Sequence, residues 1–271
     1  MPKPNKIPKV IGVASGKGGV GKTSISTNLA VALTQRNHKV MVLDADLGMA
    51  NAQIALGVHA PFNIGHVLRG EKTLEEVLVT TPQGVVLVPG ASGLREMAAL
   101  SNEQVSGIIR AFDGLDTDMD YLLVDIAAGI APSVLDFMSA CHHRLVVVCD
   151  QPSAVADAYG LIKVMTTEQQ LDEIYLVPNM VIDSHLGRQL HRRMNDVCMR
   201  FLGANIKLLG CIEADELVLQ SQRKYQSVLD FAPGSAASRD FRSLAESVDQ
   251  LPPVTAPSGR VQFFMQRMLG A

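Results

Sequence analysis

The sequence predicts an α/β fold: a doubly wound, mostly parallel sheet flanked by helices, with a short C-terminal amphipathic helix. Three observations predict it. Short β-rich runs alternate with helix-length amphipathic segments along the chain. Most of those runs are continuously apolar, as in Leu145-Val146-Val147-Val148-Cys149, the pattern of a strand buried on both faces. A glycine-rich turn, Gly16-Lys17-Gly18-Gly19-Val20-Gly21-Lys22-Thr23, follows the first run and opens the first helix. With 271 residues, 47% of them hydrophobic, the chain can bury a substantial core, and a net charge of −3 excludes a disordered polyelectrolyte.

The expected strands are residues 9–15, 39–44, 85–89, 121–126, 144–150, 174–178 and 206–212, each short, β-rich and mostly apolar. Between them, helices are expected over residues 22–35, 101–112, 131–140, 153–171 and 184–201. Strand–helix–strand repetition of this kind implies right-handed crossovers. Near the end, Leu251-Pro252-Pro253-Val254-Thr255-Ala256-Pro257-Ser258-Gly259 cannot continue a helix. The expected organisation is therefore a domain over 1–250, a linker over 251–259 and a helix over 260–271. In that last segment Val261, Phe264, Met265, Met268 and Leu269 share one helical face, with Phe263 interrupting the polar side. Such a helix inserts into a lipid interface or docks back on the domain, and both readings stand at this point.

Composition narrows the function. A charge of −3 provides no global basic field, so direct nucleic-acid binding is not expected, and the run Arg188-Gln189-Leu190-His191-Arg192-Arg193 reads more simply as a solvated helix face. The cysteines, Cys141, Cys149, Cys198 and Cys211, form no CxxC pair, and no histidine stands at zinc-ligand spacing. Buried thiols in a reducing cytoplasm are expected. No secretory core follows the Lys- and Pro-rich start, and no apolar run reaches membrane-spanning length, so the expectation is a soluble cytoplasmic protein.

The glycine-rich turn matches G-x-x-x-x-G-K-[ST] between a strand and a helix, where a phosphate loop belongs. Gly16, Gly18, Gly19 and Gly21 let successive backbone N–H groups turn toward a phosphate, and the helix N-terminus adds positive potential. Lys22 can reach the β- and γ-phosphates, and the Thr23 hydroxyl can ligate Mg²⁺. Val20 and Ser24 complete the residues expected to hold ATP. Lys17 is not required by an ordinary loop of this type. With it, Ser15-Gly16-Lys17-Gly18-Gly19-Val20-Gly21-Lys22-Thr23 resembles the deviant Walker A motif of the MinD/ParA family. The resemblance implies that Lys17 crosses an ATP-bound dimer to the partner's phosphates, so that hydrolysis depends on dimerisation. As a plain reading, Lys17 is a solvated surface lysine.

Two further stretches agree. In Val42-Leu43-Asp44-Ala45-Asp46, Asp46 resembles the family's switch I aspartate, which orients the attacking water, and Asp44 fits an outer-sphere magnesium role or a turn cap. Tyr121-Leu122-Leu123-Val124-Asp125 is an apolar strand ending in aspartate, which places Asp125 near the Mg²⁺ shell. The family's usual Asp-x-Pro-Ala-Gly has Ala127 in place of proline here. Asn179, after Val177-Pro178, matches the family's base-reading asparagine, whose amide pairs with adenine, or is an ordinary turn residue. The loop of Glu213, Ala214 and Asp215 would close the other side of the base.

Within the family, Asp125-Ile126-Ala127-Ala128-Gly129-Ile130, Val147-Val148-Cys149-Asp150-Gln151-Pro152-Ser153, Asp157-Ala158-Tyr159-Gly160-Leu161-Ile162-Lys163 and Gly259-Arg260-Val261-Gln262-Phe263-Phe264 are similar to the flagellar-number regulators of the FlhG/FleN branch. That resemblance implies a Mg²⁺-dependent, dimer-activated slow ATPase that controls flagellar number and placement. It would act at the inner membrane surface with a signal-recognition-type GTPase and, in some bacteria, a flagellar transcription activator. A DNA-partitioning ATPase and a division-site regulator are the alternatives.

Overall fold

The computed structural model describes residues 6–47, 51–91, 100–253 and 261–269. Strand β1 (Lys9–Ala14) leads into α1 (Lys22–Gln35) and β2 (Val40–Ala45). Short helices α2 (Ala52–Ala55), α3 (Ile64–Leu68) and α4 (Leu74–Val77) precede a hairpin of β3 (Val79–Thr80) and β4 (Val86–Val88). Helix α5 (Asn102–Ala111), a 3₁₀ turn (Phe112–Gly114), β5 (Tyr121–Ile126), α6 (Pro132–Ala140), β6 (His143–Val148), α7 (Pro152–Thr167) and β7 (Ile174–Val181) follow. The chain then forms α8 (Ser184–Leu202), β8 (Lys207–Leu208), β9 (Ile212–Glu213), α9 (Glu216–Arg223), α10 (Val228–Phe231), α11 (Ala236–Asp249) and α12 (Met265–Leu269).

The strand order is β3-β4-β2-β5-β1-β6-β7-β8, with β9 also on β7; only β3 is antiparallel to its neighbour. β1 lies between β5 and β6, and all three are buried along almost their whole length. That burial on both faces is why their sequences show no alternation. Doubly wound sheets bind ligands beyond the C-terminal edge, where the order switches, and here the turn after β1 occupies that place.

Helix α1 is buried from Lys22 to Leu33 apart from Thr23, because the sheet covers one side and α11 the other. The sequence reading placed no helix over α11. Its stripe of Phe241, Leu244, Ala245 and Val248 is nonetheless the i, i+3, i+4, i+7 spacing of a helix, capped by the Ser235 hydroxyl accepting from Ser238 N–H. The expected single strand over 206–212 is broken. β8 pairs with Tyr175 and Leu176, and β9 pairs further along β7 with Asn179 and Val181. Between them Gly210 packs so tightly on α11 that a Cβ there would lie 3.1 Å from Leu244 Cδ1.

The C-terminal helix is present but covers only Met265–Leu269. Phe264, at φ 57°, turns the chain so that both it and Phe263 are fully buried, edge-on against Phe112 at 5.7 and 5.0 Å between ring centroids. Met268 is buried with them and Val261 packs on the core, so most of the expected stripe is packed; Leu269, 69% exposed, and the buried Phe263 depart from it. Gln266 N–H donates to Asp113, and Arg267 donates to the carbonyls of Leu115 and Thr117. The tail thus docks at the end of the sheet where β5 begins. The expected linker is tethered at its start, where Lys9 Nζ donates to the carbonyls of Asp249 and Leu251; residues 254–259, and residues 260, 270 and 271 of the expected helix, lie outside the described residues.

Candidate nucleotide site

The turn between β1 and α1 is shaped by contacts that only glycine permits. A Cβ on Gly16 would lie 2.2 Å from the backbone of Asp157, so the turn begins pressed against α7. Gly19 and Gly21 take φ of 84° and 87°, the left-handed region that side chains disfavour. A Cβ on Gly21 would also meet Asn179 Nδ2 at 2.3 Å. Gly21 caps α1 without any side-chain acceptor, so the first N–H groups of α1 have no side-chain cap. A long helix opening in this way, behind a glycine turn, is an anion site.

Lys22 is buried, with Nζ 3.0 Å from Asp125 Oδ1 and 3.7 Å from Asp46 Oδ2. Asp125 is fully buried, and its Oδ2 has no hydrogen-bond partner among the described residues. A buried, unpartnered carboxylate oxygen is costly unless something else satisfies it. Together with the half-buried Thr23 beside Lys22 and Asp46 at the rim, it makes a set of hard oxygen donors that suits Mg²⁺. Among the described residues no group of three or more His, Cys, Asp or Glu could hold an ion alone. That fits a magnesium ion arriving with phosphates, which supply the remaining ligands.

Asp44 stands beside this set with both oxygens engaged. Oδ1 accepts from Asp46 N–H at 3.2 Å and Oδ2 from Ala52 N–H at 2.9 Å. Of its two readings, the geometry displays the turn anchor. Burial, and then the neighbouring Asp125, push its pKa up to about 7, because two carboxylates in one dry place resist double ionisation.

Asn179 is buried and donates from Nδ2 to the Val20 carbonyl at 2.8 Å. One of its two amide N–H groups is therefore tied to the phosphate loop, and Oδ1 remains to accept from a base. It lines a cavity of about 370 Å³ with Gly19 and Ser24 on the loop side, Met180 on β7, and Asp215 and Leu219 opposite. Glu213 and Ala214 line it as well, as the sequence reading expects. Lys17 lies outside this arrangement: it is exposed, and its Nζ donates to Ser153 Oγ at 2.7 Å, at the start of α7.

Two contacts escaped the sequence reading. Ser26 Oγ donates to Asp125 Oδ1 at 2.9 Å. The signal for it was its position four residues after Lys22, on the same helical face. Gly129 N–H donates to the Ser15 carbonyl at 2.9 Å, which ties the segment after Asp125 to the end of β1; nothing local in the sequence marks that pair.

Comparison with known proteins agrees with this geometry. Residues 11–228 match the CobQ/CobB/MinD/ParA nucleotide-binding domain. The chain is 40% identical over 261 residues to the antiactivator FleN of Pseudomonas aeruginosa, covering 96% of this chain and 93% of that one. It is 34% identical over 238 residues to the flagellum site-determining protein YlxH of Helicobacter pylori, covering 88% and 80%. Among solved structures, the septum site-determining protein MinD of Pyrococcus horikoshii, complexed with Mg-ADP, superposes with a TM-score of 0.76 at 26% identity, over 90% of this chain and 97% of that one. A phosphate loop with a capless helix behind it, a buried lysine between carboxylates and a cavity beside them thus make this chain a member of the MinD/ParA family of nucleotide-binding proteins.

Proposed function

We propose that the protein is a Mg²⁺-dependent ATPase and an ATP-driven dimerisation switch that regulates flagellar number and placement. The similarity to FleN and YlxH supports the flagellar role. The observation that carries the switch is Lys17, whose ammonium leaves its own phosphate site and rests on Ser153 at an exposed face. A second copy docked on that face would receive this cation at its phosphates, where it stabilises charge spread over the transferring group.

In the loaded site the backbone N–H groups of residues 16–24 cradle the phosphates and Lys22 turns from Asp125 to them. Mg²⁺, when bound, would supply charge neutralisation to the phosphates, with the Thr23 hydroxyl and Asp125 as the residues that would hold it and Asp44 in the outer shell. Asp46 orients a water for in-line attack on the γ-phosphorus; the bond to the ADP oxygen breaks, and ADP and inorganic phosphate leave. Asn179 Oδ1 accepts from the adenine amino group. The dimer engages the inner membrane surface through residues 260–271, together with a signal-recognition-type GTPase and a flagellar transcription activator, and hydrolysis resets it.

The test is gel filtration with light scattering on Asp46→Ala in ADP and in ATP with Mg²⁺, then sedimentation of each form with anionic liposomes. A dimer only with ATP, which pellets with liposomes and stops pelleting without residues 259–271, is expected. A monomer in ATP overturns the switch; a dimer that ignores liposomes and shifts DNA overturns the membrane role.

A further inference from the structure

We infer that Ser26 is a positioning residue: its hydroxyl holds Asp125 so that Oδ2 stays aimed at the metal shell after Lys22 departs for the phosphates. The inference rests on the Mg²⁺–nucleotide reading of the site.

The two oxygens of Asp125 are used differently. Oδ1 accepts from both Lys22 Nζ, at 3.0 Å, and Ser26 Oγ, at 2.9 Å, while Oδ2 accepts from nothing. All three residues are buried, Ser26 and Asp125 completely. Lys22 cannot serve Asp125 and a bound phosphate equally, because its Nζ is drawn toward whichever anion lies in front of it. When it turns to the phosphates, Oδ1 keeps one side-chain partner, Ser26. Without that partner, nothing in the side-chain contacts would distinguish Oδ1 from Oδ2, and the carboxylate would be free to rotate about χ2.

Ser26 is suited to this task. It also lies 3.2 Å from the Lys22 carbonyl one helical turn back, so its hydroxyl is kept within the helix groove rather than free to rotate. Its single proton can serve one acceptor at a time, and the shorter, charge-assisted bond to Asp125 is the stronger.

Partners of a metal-binding carboxylate typically contribute about 10- to 100-fold to metal affinity. The test is calorimetric titration of ADP at a series of Mg²⁺ concentrations for wild type and Ser26→Ala. ADP affinity without Mg²⁺ is expected to agree within about twofold, while the Mg²⁺ concentration for half-maximal tightening rises about tenfold. In an Asp125→Asn background, removing the hydroxyl should shift that midpoint less than about twofold, because the coupling partner is gone. Should alanine weaken the fold, Ser26→Thr and Ser26→Val, similar in size, repeat the comparison with and without a hydroxyl. An unchanged midpoint in Ser26→Ala, or equal weakening with and without Mg²⁺, overturns the inference alone. Wild-type protein whose ADP affinity ignores Mg²⁺ overturns the site reading and the inference together.

Discussion

Asp44 and Asp125 are register partners on the adjacent parallel strands β2 and β5, so two buried carboxyl groups leave the sheet side by side. Such a pair is stable only if one is neutral or a cation stands near. Both remedies are present. Burial and Asp125 hold Asp44 toward its neutral form against the pull of two backbone N–H groups, and Lys22 lies against Asp125. The fold thus carries an electrostatic cost at its centre, which the Lys22 ammonium offsets.

Removing the lysine exposes that cost. Lys22→Ala should destabilise the nucleotide-free protein by about 3 kcal/mol, since it strands a buried carboxylate. Adding Asp125→Asn should recover most of the loss. Urea denaturation of the single and double variants, with equal slopes, is the check; a loss below about 1 kcal/mol in the single variant would count against the pairing.

Glycines in the loop should differ sharply. Gly21→Ala must place a Cβ 2.3 Å from Asn179 Nδ2 at a φ of 87°, whereas a Cβ on Gly18 meets nothing within 4 Å. We expect Gly21→Ala to cost about 1–3 kcal/mol and to abolish detectable nucleotide binding, and Gly18→Ala to change stability by less than about 0.5 kcal/mol. Thermal melts with and without ADP and Mg²⁺ separate the two.

Acid should unfold the protein partly through His142. Its Nδ1 accepts from Val10 N–H at 3.0 Å, its Nε2 is buried without a partner, and burial, helped by His143, pulls its pKa down to about 4. Between its ordinary value and about 4, the unfolded chain binds a proton that the folded one refuses, so stability falls as pH falls through that window. The loss is of order 3 kcal/mol when complete. His142→Asn, which keeps an acceptor for Val10, should flatten the urea midpoint between pH 6.5 and 4; an unchanged slope would clear His142 of the effect.

The docked tail should depend on its two phenylalanines. Phe264→Ala removes one of two rings packed on Phe112, a change that typically costs about 3 kcal/mol in a core. Amide exchange at residues 261–269 should rise at least tenfold while β1 and β5 stay protected. Exchange unchanged from wild type would mean that Phe263 alone holds the tail.

The sheet and the phosphate loop were legible because their signals are local: an apolar run, a glycine spacing, a lysine before a threonine. β1 and β5 read true for that reason, while the approach of Lys22 to Asp46 and Asp125 is visible only in the fold. What was not legible depends on distant partners. Residues 206–212 read as one strand because their composition is continuous, while the two pairing sites on β7, at Tyr175–Leu176 and at Asn179 and Val181, lie on another strand. The tail read as a helix from residue 260 because helical spacing cannot reveal that Phe112 draws in Phe263 and Phe264 together. Asn179 reads as a candidate for the base or as a turn residue, and its bond to Val20, between residues 159 apart in sequence, carries no local signal.

The tail leaves its mark on what can happen at once. It docks beside Leu115 and Thr117, ahead of β5, while the phosphate loop follows β1 at the other end of the same parallel strands. A six-residue strand is about 20 Å long. The docked tail and the phosphate loop therefore do not jostle for one surface, and they stand like loads at opposite ends of a beam.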